Sequence, residues 1–340
     1  MRLSGAVGLL WLVLTAPSFC AEFPDPEVIR RLVEIQGELY NDRYEIAQAA
    51  SDSLAHNNEG NPFPLIIWSN VLLTEMREKE QNMYEERLFD LLDQAEREGT
   101  ILLESNDSLI KAWACLALGH TWANRSLWEA RFGSSTQAYR KGKKAKAFYE
   151  EGLSYYPKLY DLYGGLGEYN YWKSSEAGFL RSIGLISNEK AEGIKQVHIA
   201  ADSSAISRAS ARRGLIWIYL NEEMYDSSIA IASQMHQEYP DGRAFIWAMA
   251  QGYFKNGDYD RALRYLYWMR SKINAPPENY HKLISVDYLI GESYLELGNN
   301  DKARETGLRF LTYQGEISDQ VESDQKKKIK QLEKLARLDR

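Results

Sequence analysis

Apolar residues recur at helical spacing through most of the chain. The first such segment carries Val28, Ile29, Leu32, Val33, Ile35 and Leu39, which predicts a helix that buries one face. The same periodicity predicts further helices over residues 64–78, 83–103, 108–124, 137–156, 158–173 and 189–202. Short turns separate consecutive segments, so the pattern predicts antiparallel helical hairpins.

The stretch Tyr253–Ala262, which reads Y-F-K-N-G-D-Y-D-R-A, contains the turn of one such hairpin. Gly257 tolerates the positive φ that ends many helices. Asp258 can accept a backbone N–H and start the next helix. Ala262 has almost no side chain, so a neighbouring helix can approach it closely.

Residues of the same types recur at a similar spacing before and after this turn. Three units start near Ala209, Arg243 and Ile284, and these starts are separated by 34 and 41 residues. The last unit places Gly291, Tyr294, Gly298 and Ala303 at the repeating positions. This pattern resembles the tetratricopeptide repeat. The resemblance is firm over residues 209–315, weaker over 108–202, and weakest before residue 108.

The resemblance implies an all-α fold, a right-handed solenoid of about six antiparallel helical hairpins with a C-terminal capping helix. We expect divergent hairpins over residues 22–107, stretched hairpins over 108–208, and the regular array over 209–317. An insertion over residues 174–188 interrupts the stretched hairpins. Residues 318–340 carry a thin apolar seam among many charges, which is typical of a cap.

The N-terminus has the pattern of a secretory signal peptide. Arg2 precedes an apolar run from Leu3 to Ala16, which is shorter than the roughly 20 residues of a membrane span. We expect cleavage between Ser18 and Ala21, and hence an exported protein, periplasmic or secreted. If Cys20 leaves with the signal, Cys115 is the remaining cysteine, and an exported protein of this size without disulfides is more typical of bacteria. Cys20 lies in a poor context for lipidation, because Pro17 and Phe19 occupy positions where lipidation motifs have other residues.

Patterns typical of catalysis are absent from the sequence. The five histidines are far apart and form no metal-binding motif. Cys115 lies among core residues, which predicts an inert buried thiol. Gly164-Gly165-Leu166-Gly167 lacks the strand and the Lys-Ser/Thr of a phosphate loop, so we interpret it as close helix packing. We therefore expect no enzyme activity, no cofactor and no metal. The net charge of −7 also argues against nucleic-acid binding.

Two groups of residues are candidate binding sites. The first is aromatic and apolar, and it extends into the insertion: Tyr160, Tyr163, Tyr169, Tyr171, Trp172, Phe179, Leu180, Ile183 and Ile186. Tyr combines an apolar body with a polar tip, which suits binding surfaces. The insertion either binds a partner or fills a gap in an irregular solenoid.

The second group is a basic patch of Arg140, Lys141, Lys143, Lys144 and Lys146. Helical spacing spreads these side chains around the helix, so some of them face solvent. They either meet an acidic partner, lipid head groups or glycan, or form a solvated helix surface.

Two functions remain open at this point. The first is a scaffold or assembly factor of the cell envelope that binds another protein or a peptide segment on the concave surface formed by the first helices. The second is a periplasmic small-ligand binder, for which tetratricopeptide proteins that serve solute transporters are the precedent. We expect membrane association only through a partner or a lipid on Cys20. An enzyme whose residues converge from distant helices is a third, weaker hypothesis.

Overall fold

The computed structural model describes residues 24–176, 188–273 and 280–338. These residues form helices connected by turns, and the fifteen α-helices run in this order: α1 Pro26–Tyr40, α2 Tyr44–His56, α3 Pro62–Lys79, α4 Glu85–Leu103, α5 Ser108–Phe132, α6 Ser135–Tyr155, α7 Asp161–Glu176, α8 Lys190–Ser203, α9 Arg208–Asn221, α10 Tyr225–Glu238, α11 Arg243–Lys255, α12 Tyr259–Ser271, α13 Tyr280–Glu296, α14 Asn300–Leu311 and α15 Asp319–Ala336. None of these helices is long and apolar enough to span a membrane.

Consecutive helices pack in pairs, from α1 with α2 to α13 with α14, and each pair packs on the next. A single hairpin cannot bury its own apolar face, so neighbouring hairpins share a continuous core. The structure thus confirms the predicted all-α solenoid of helical hairpins. The described residues form seven pairs followed by α15, where the sequence predicts about six.

The turn in Y-F-K-N-G-D-Y-D-R-A is formed as the sequence predicts. Gly257 has a φ of 77°, and Asp258 caps α12 by accepting a hydrogen bond from the backbone N–H of Arg261 at 3.0 Å. Ala262 is fully buried. The pairs in this part of the chain fit a tetratricopeptide-like repeat.

The C-terminal helix α15 covers the last hairpin. Ile329, Leu332 and Leu335 are buried, and a Cβ on Gly291 or Gly307 would collide with α15. These glycines therefore permit the close approach of the cap. The sequence leaves residues 127–136 open as a loop or a helix extension, and the helix α5 extends to Phe132. Most of the predicted insertion, residues 177–187, lies outside the described residues, and the proposed boundaries at 107 and 208 stay predictions.

A left-handed residue recurs at one position of four hairpin turns. Gly257 and Gly298 have positive φ there, and so do Asp42 (58°) and Glu223 (60°). Each stands five residues before a buried small residue, namely Ala262, Ala303, Ala47 and Ser228. Residues other than glycine are disfavoured at positive φ by roughly 1–2 kcal/mol. The non-glycine residues at Asp42 and Glu223 therefore cost stability locally.

Asp42 offsets this cost by a contact with a residue 201 positions away along the chain. Its Oδ2 accepts hydrogen bonds from the backbone N–H of Arg243 at 3.0 Å and from Arg243 Nε at 2.8 Å. Beside it, Arg43 Nη2 lies 2.7 Å from Asp241 Oδ2. The α1–α2 turn is thus joined to the α10–α11 turn, and we name this the closing contact.

Aromatic rings form the buried side of the closing contact. The Tyr40 ring meets the edges of Tyr239 and Phe245 at centroid distances of 5.3 and 6.1 Å. A Cβ on Gly242 would collide with the carbonyl oxygen of Tyr40, so glycine permits the two turns to touch. Glu78, at the end of α3, adds ion pairs to Arg243 at 3.3 Å and to Lys282. The first five hairpins therefore close on themselves.

We expect Asp42→Gly to lower the free energy of unfolding by about 1–3 kcal/mol relative to the matched variant Glu223→Gly, because it removes the nearer of the two carboxylates that pair with Arg243. Both substitutions relieve the same left-handed strain, so their difference reports the contacts of the Asp42 carboxylate, which include the Tyr44 hydroxyl at 3.0 Å. Urea unfolding followed by circular dichroism measures it. Equal changes in the two variants would show that the carboxylate does not hold the turns together.

Candidate binding cavity

The closed hairpins surround a cavity of about 160 Å³, which we name the central cavity. Its lining comes mainly from the first helices of five hairpins, α1, α3, α5, α7 and α9. The apolar lining is Leu32, Phe63, Ile66, Ile67 and Leu127. The polar lining includes Gln36, Asn70, His120, Glu168, Ser210 and Arg213. The inner surface predicted for the first helices is therefore present, and the cavity that it lines is partly open to solvent.

Asp161 at the start of α7 positions one wall of the cavity. Its buried carboxylate accepts backbone N–H groups of Ala205, Ile206 and Ser207 at 3.0, 2.8 and 2.8 Å. These bonds fix the turn before α9, and Ile206 and Ser207 of that turn line the cavity. The orientation of α9, which carries Arg213, follows from this turn.

Tyr149 and His120 form a second wall. Tyr149 is buried between Gly119 and Gly165, where a Cβ on either glycine would overlap its ring. Its hydroxyl lies 3.1 Å from His120 Nδ1. Close packing by glycine, as the sequence predicts for residues 164–167, thus brings α5, α6 and α7 together at the cavity.

Glu168 and Arg213 place opposite charges at the cavity, yet neither forms an ion pair within 4 Å with another described residue. Burial raises the pKa of the Glu168 carboxyl, while Arg213 and Arg77 act in the opposite direction. The carboxylate packs against Gly214, where a side chain would displace it. The Arg213 guanidinium lies 5.8 Å from the centroid of Tyr40, so the cavity adjoins the closing contact.

Arg77 adds a second positive charge from α3. Its side chain is accessible to solvent, yet surrounding protein lowers its pKa, and repulsion from Arg213 lowers it further. The solvent access and the lowered pKa agree if Arg77 faces a solvent-accessible space between the hairpins rather than the outer surface. Arg77 therefore belongs to the same group of interacting charges as Arg213 and Glu168.

The predicted aromatic residues occupy different environments. Tyr160 is 38% exposed and lies near Tyr163, with 6.4 Å between ring centroids. Tyr171 is fully buried, and its hydroxyl donates to Glu222 and accepts from Asn221 at 2.8 and 2.7 Å. Tyr169 and Trp172 are partly buried. Phe179, Leu180, Ile183 and Ile186 lie outside the described residues. None of the described members of this group lines the central cavity.

The basic patch is largely paired. Lys141 lies 2.7 Å from Glu129, and Lys146 pairs with Glu150. Lys144 lies 3.5 Å from Glu96 and also 3.5 Å from the centroid of the Trp122 ring. Arg140 and Lys143 are exposed. This arrangement fits a solvated helix face.

Sequence reasoning missed Glu168 and Arg213. Both lie in first helices, at positions where no local motif distinguishes a charge facing the cavity from a charge facing solvent. Cys115, by contrast, lies where the sequence predicts. It is fully buried, and burial raises the pKa of its thiol to about 12. No group of three or more His, Cys, Asp or Glu residues within 24–176, 188–273 and 280–338 could hold a metal ion.

No protein-family model and no curated protein matches this chain. Among solved structures, a human IFIT1 dimer with m7Gppp-AAAA is similar, with a TM-score of 0.34 and 13% sequence identity. The match covers 84% of this chain and 72% of that chain. A similarity at this level gives no indication of function.

We expect the stability of the protein to decrease as the pH falls from 6.5 to 4, in part through His120. Burial lowers the pKa of His120 from 6.5 to about 4, so in this window the unfolded chain binds a proton that the folded chain does not. The loss is at most about 3 kcal/mol. Chemical unfolding of the wild type and of His120→Gln at several pH values measures it. Parallel pH profiles would contradict the prediction.

Proposed function

We propose that the protein is a non-catalytic binding protein that holds a small molecule in the central cavity. The observation that carries this proposal is the pair of opposite charges, Glu168 and Arg213, which line one cavity without an ion pair to each other or to another described residue. Both side chains are partly buried, and withdrawing a charge from water without a partner costs free energy. A ligand that supplies the missing partners accounts for their presence.

The closing contact favours a small ligand over a peptide. It joins the α1–α2 turn to the α10–α11 turn, so the first five hairpins surround a cavity of limited volume that is partly open to solvent. A cavity of about 150 Å³ accommodates a molecule the size of benzene, and the central cavity is of similar volume. We therefore infer a ligand of roughly six to ten non-hydrogen atoms.

We also propose that the protein acts after export, in the bacterial cell envelope. The support is the apolar run from Leu3 to Ala16, which follows Arg2 and precedes a region of small residues. A small-molecule binder in this compartment fits the precedent of tetratricopeptide proteins that serve solute transporters.

Filling the cavity should abolish ligand binding. Ala123 lies on α5 in the cavity lining, so Ala123→Phe places a ring in the space that the ligand needs. Ala49→Phe on the exposed face of α2 is the matched control. Native mass spectrometry of gently purified protein should show a bound small molecule on the wild type and the control, and none on Ala123→Phe.

The same variants test the proposal in thermal unfolding. A ligand at about 100 times its Kd stabilises the folded state by about 2.7 kcal/mol, and Ala123→Phe should lose this gain. A ligand that remains bound to a folded Ala123→Phe variant would place the binding site elsewhere and refute the proposal.

A protein partner is the second candidate function, and an exposed group of tyrosines favours it. Tyr156 and Tyr160 are each 38% exposed near the α6–α7 turn, and Tyr163 lies beside Tyr160. Exposed Tyr residues are common at protein interfaces. Another envelope protein or peptide segment could dock on this turn while the cavity holds its ligand.

Tyr160→Ser should weaken such an interaction by about tenfold or more if the ring anchors a partner. The control is Tyr139→Ser, since Tyr139 is 52% exposed on the preceding helix. Immobilised wild type and variants are exposed to a native envelope extract, and the affinity of each captured protein is then measured by surface plasmon resonance. Equal affinities for the wild type and Tyr160→Ser would exclude this turn as the docking site.

A further inference from the structure

We infer that the central cavity takes a small zwitterion, namely an apolar α-amino acid or a chemical equivalent, with its carboxylate on Arg213 and its ammonium on Glu168. This inference rests on the proposed function and specifies its ligand. It follows from three features of the cavity: the separated charges, the presence of one charge of each sign, and the apolar wall.

The first feature is the separation of Glu168 and Arg213. Both side chains line the same cavity, and their charges interact electrostatically. Even so, no nitrogen of Arg213 lies within 4 Å of the Glu168 oxygens, since no ion pair joins them. A direct ion pair between Glu168 and Arg213 would neutralise both charges and leave neither for a charged ligand. Both charges therefore remain available at the cavity lining for a molecule that contacts the two groups.

The second feature decides which charges the molecule carries. A ligand with an amine alone would neutralise Glu168 but would meet the positive charge of Arg213. A ligand with a carboxylate alone would satisfy Arg213 but would bring a second negative charge close to the partly buried carboxylate of Glu168. A zwitterion satisfies both groups, and charge-assisted hydrogen bonds of this kind are the strong ones.

The third feature is the apolar wall. Leu32, Phe63, Ile66 and Ile67 line the cavity from α1 and α3, whereas Glu168 and Arg213 lie on α7 and α9. Pockets for small molecules commonly combine an apolar lining with a few polar groups that fix orientation. An apolar side chain packed on α1 and α3 would direct the charged head group of the ligand towards α7 and α9.

Gln36 supplies a further acceptor beside this wall. It lines the cavity from α1, and its Oε1 is buried without a hydrogen bond to any described residue. An ammonium group has three N–H donors, so it can satisfy Gln36 as well as Glu168. This unpaired acceptor is a second indication of a ligand that donates hydrogen bonds.

The test compares ligands that differ by one charge. Isothermal titration calorimetry measures the binding of L-leucine and L-valine to the wild-type protein after removal of bound molecules by unfolding and refolding. It also measures isoamylamine, which lacks the carboxylate, and isocaproate, which lacks the ammonium. We expect each single-charge compound to bind at least about tenfold more weakly than L-leucine, because each leaves one buried charge unpaired.

Substitutions assign the two contacts. Glu168→Gln should reduce the preference for L-leucine over isocaproate, and Arg213→Gln should reduce the preference for L-leucine over isoamylamine, each by about tenfold or more. Arg140→Gln, at an exposed position outside the cavity, should change neither preference. Circular dichroism and urea unfolding show whether each variant is folded, and Glu168→Asp provides a second test if Glu168→Gln is not.

The outcomes separate this inference from the proposed function. Isocaproate or isoamylamine binding as tightly as L-leucine would overturn the zwitterion, and so would no binding by any of the four compounds. In either case the proposed function still stands if the wild type retains a small molecule that Ala123→Phe loses. If the zwitterion test fails and the wild type also retains no small molecule that Ala123→Phe loses, the cavity is not a binding site.

Discussion

The contact between Asp42 and Arg243 is the constraint on which the rest of the structure depends. A solenoid of helical hairpins is held mainly by contacts between neighbours, and such an array presents an open surface. Here two turns that are about 200 residues apart meet through an ion pair, a backbone hydrogen bond and packed aromatic rings. This contact converts the inner surface of five hairpins into the walls of a cavity.

The local cost at Asp42 is consistent with this role. Gly257 and Gly298 occupy the equivalent left-handed position without strain, because glycine has no Cβ. Asp42 adopts this conformation at a cost in stability, and its carboxylate accepts a hydrogen bond from Arg243. Tyr40 forms part of the buried side of the closing contact, and its ring also lies 5.8 Å from the Arg213 guanidinium. Ligand binding at Arg213 and the stability of the closing contact should therefore be linked.

Much of the fold could be predicted from sequence because its determinants are local. Helical periodicity, the cap at Asp258 and the small residue at Ala262 depend on neighbours within a turn or a hairpin. The closing contact depends instead on the curvature accumulated over five hairpins, which no local pattern encodes. Asp42 in the sequence looks like an ordinary turn residue, and nothing near it indicates Arg243 as its partner.

The candidate site was harder to predict for the same reason. The aromatic residues that stand out in the sequence, such as Tyr171, include core residues. Glu168 and Arg213 do not stand out, since charged residues are common on helices. They become candidate site residues because both line the cavity, and the cavity forms because the hairpins close. The first helices do form the inner surface, as the sequence predicts, and the structure adds that the hairpins surround a cavity there.

The central claim is that the hairpins close around a ligand site between Glu168 and Arg213. An electron-density map at atomic resolution, from crystals of gently purified protein, tests it most directly. We predict that a small molecule lies between the carboxylate and the guanidinium, with the Asp42–Arg243 pair intact. A direct Glu168–Arg213 ion pair across a cavity that holds water alone would contradict the account.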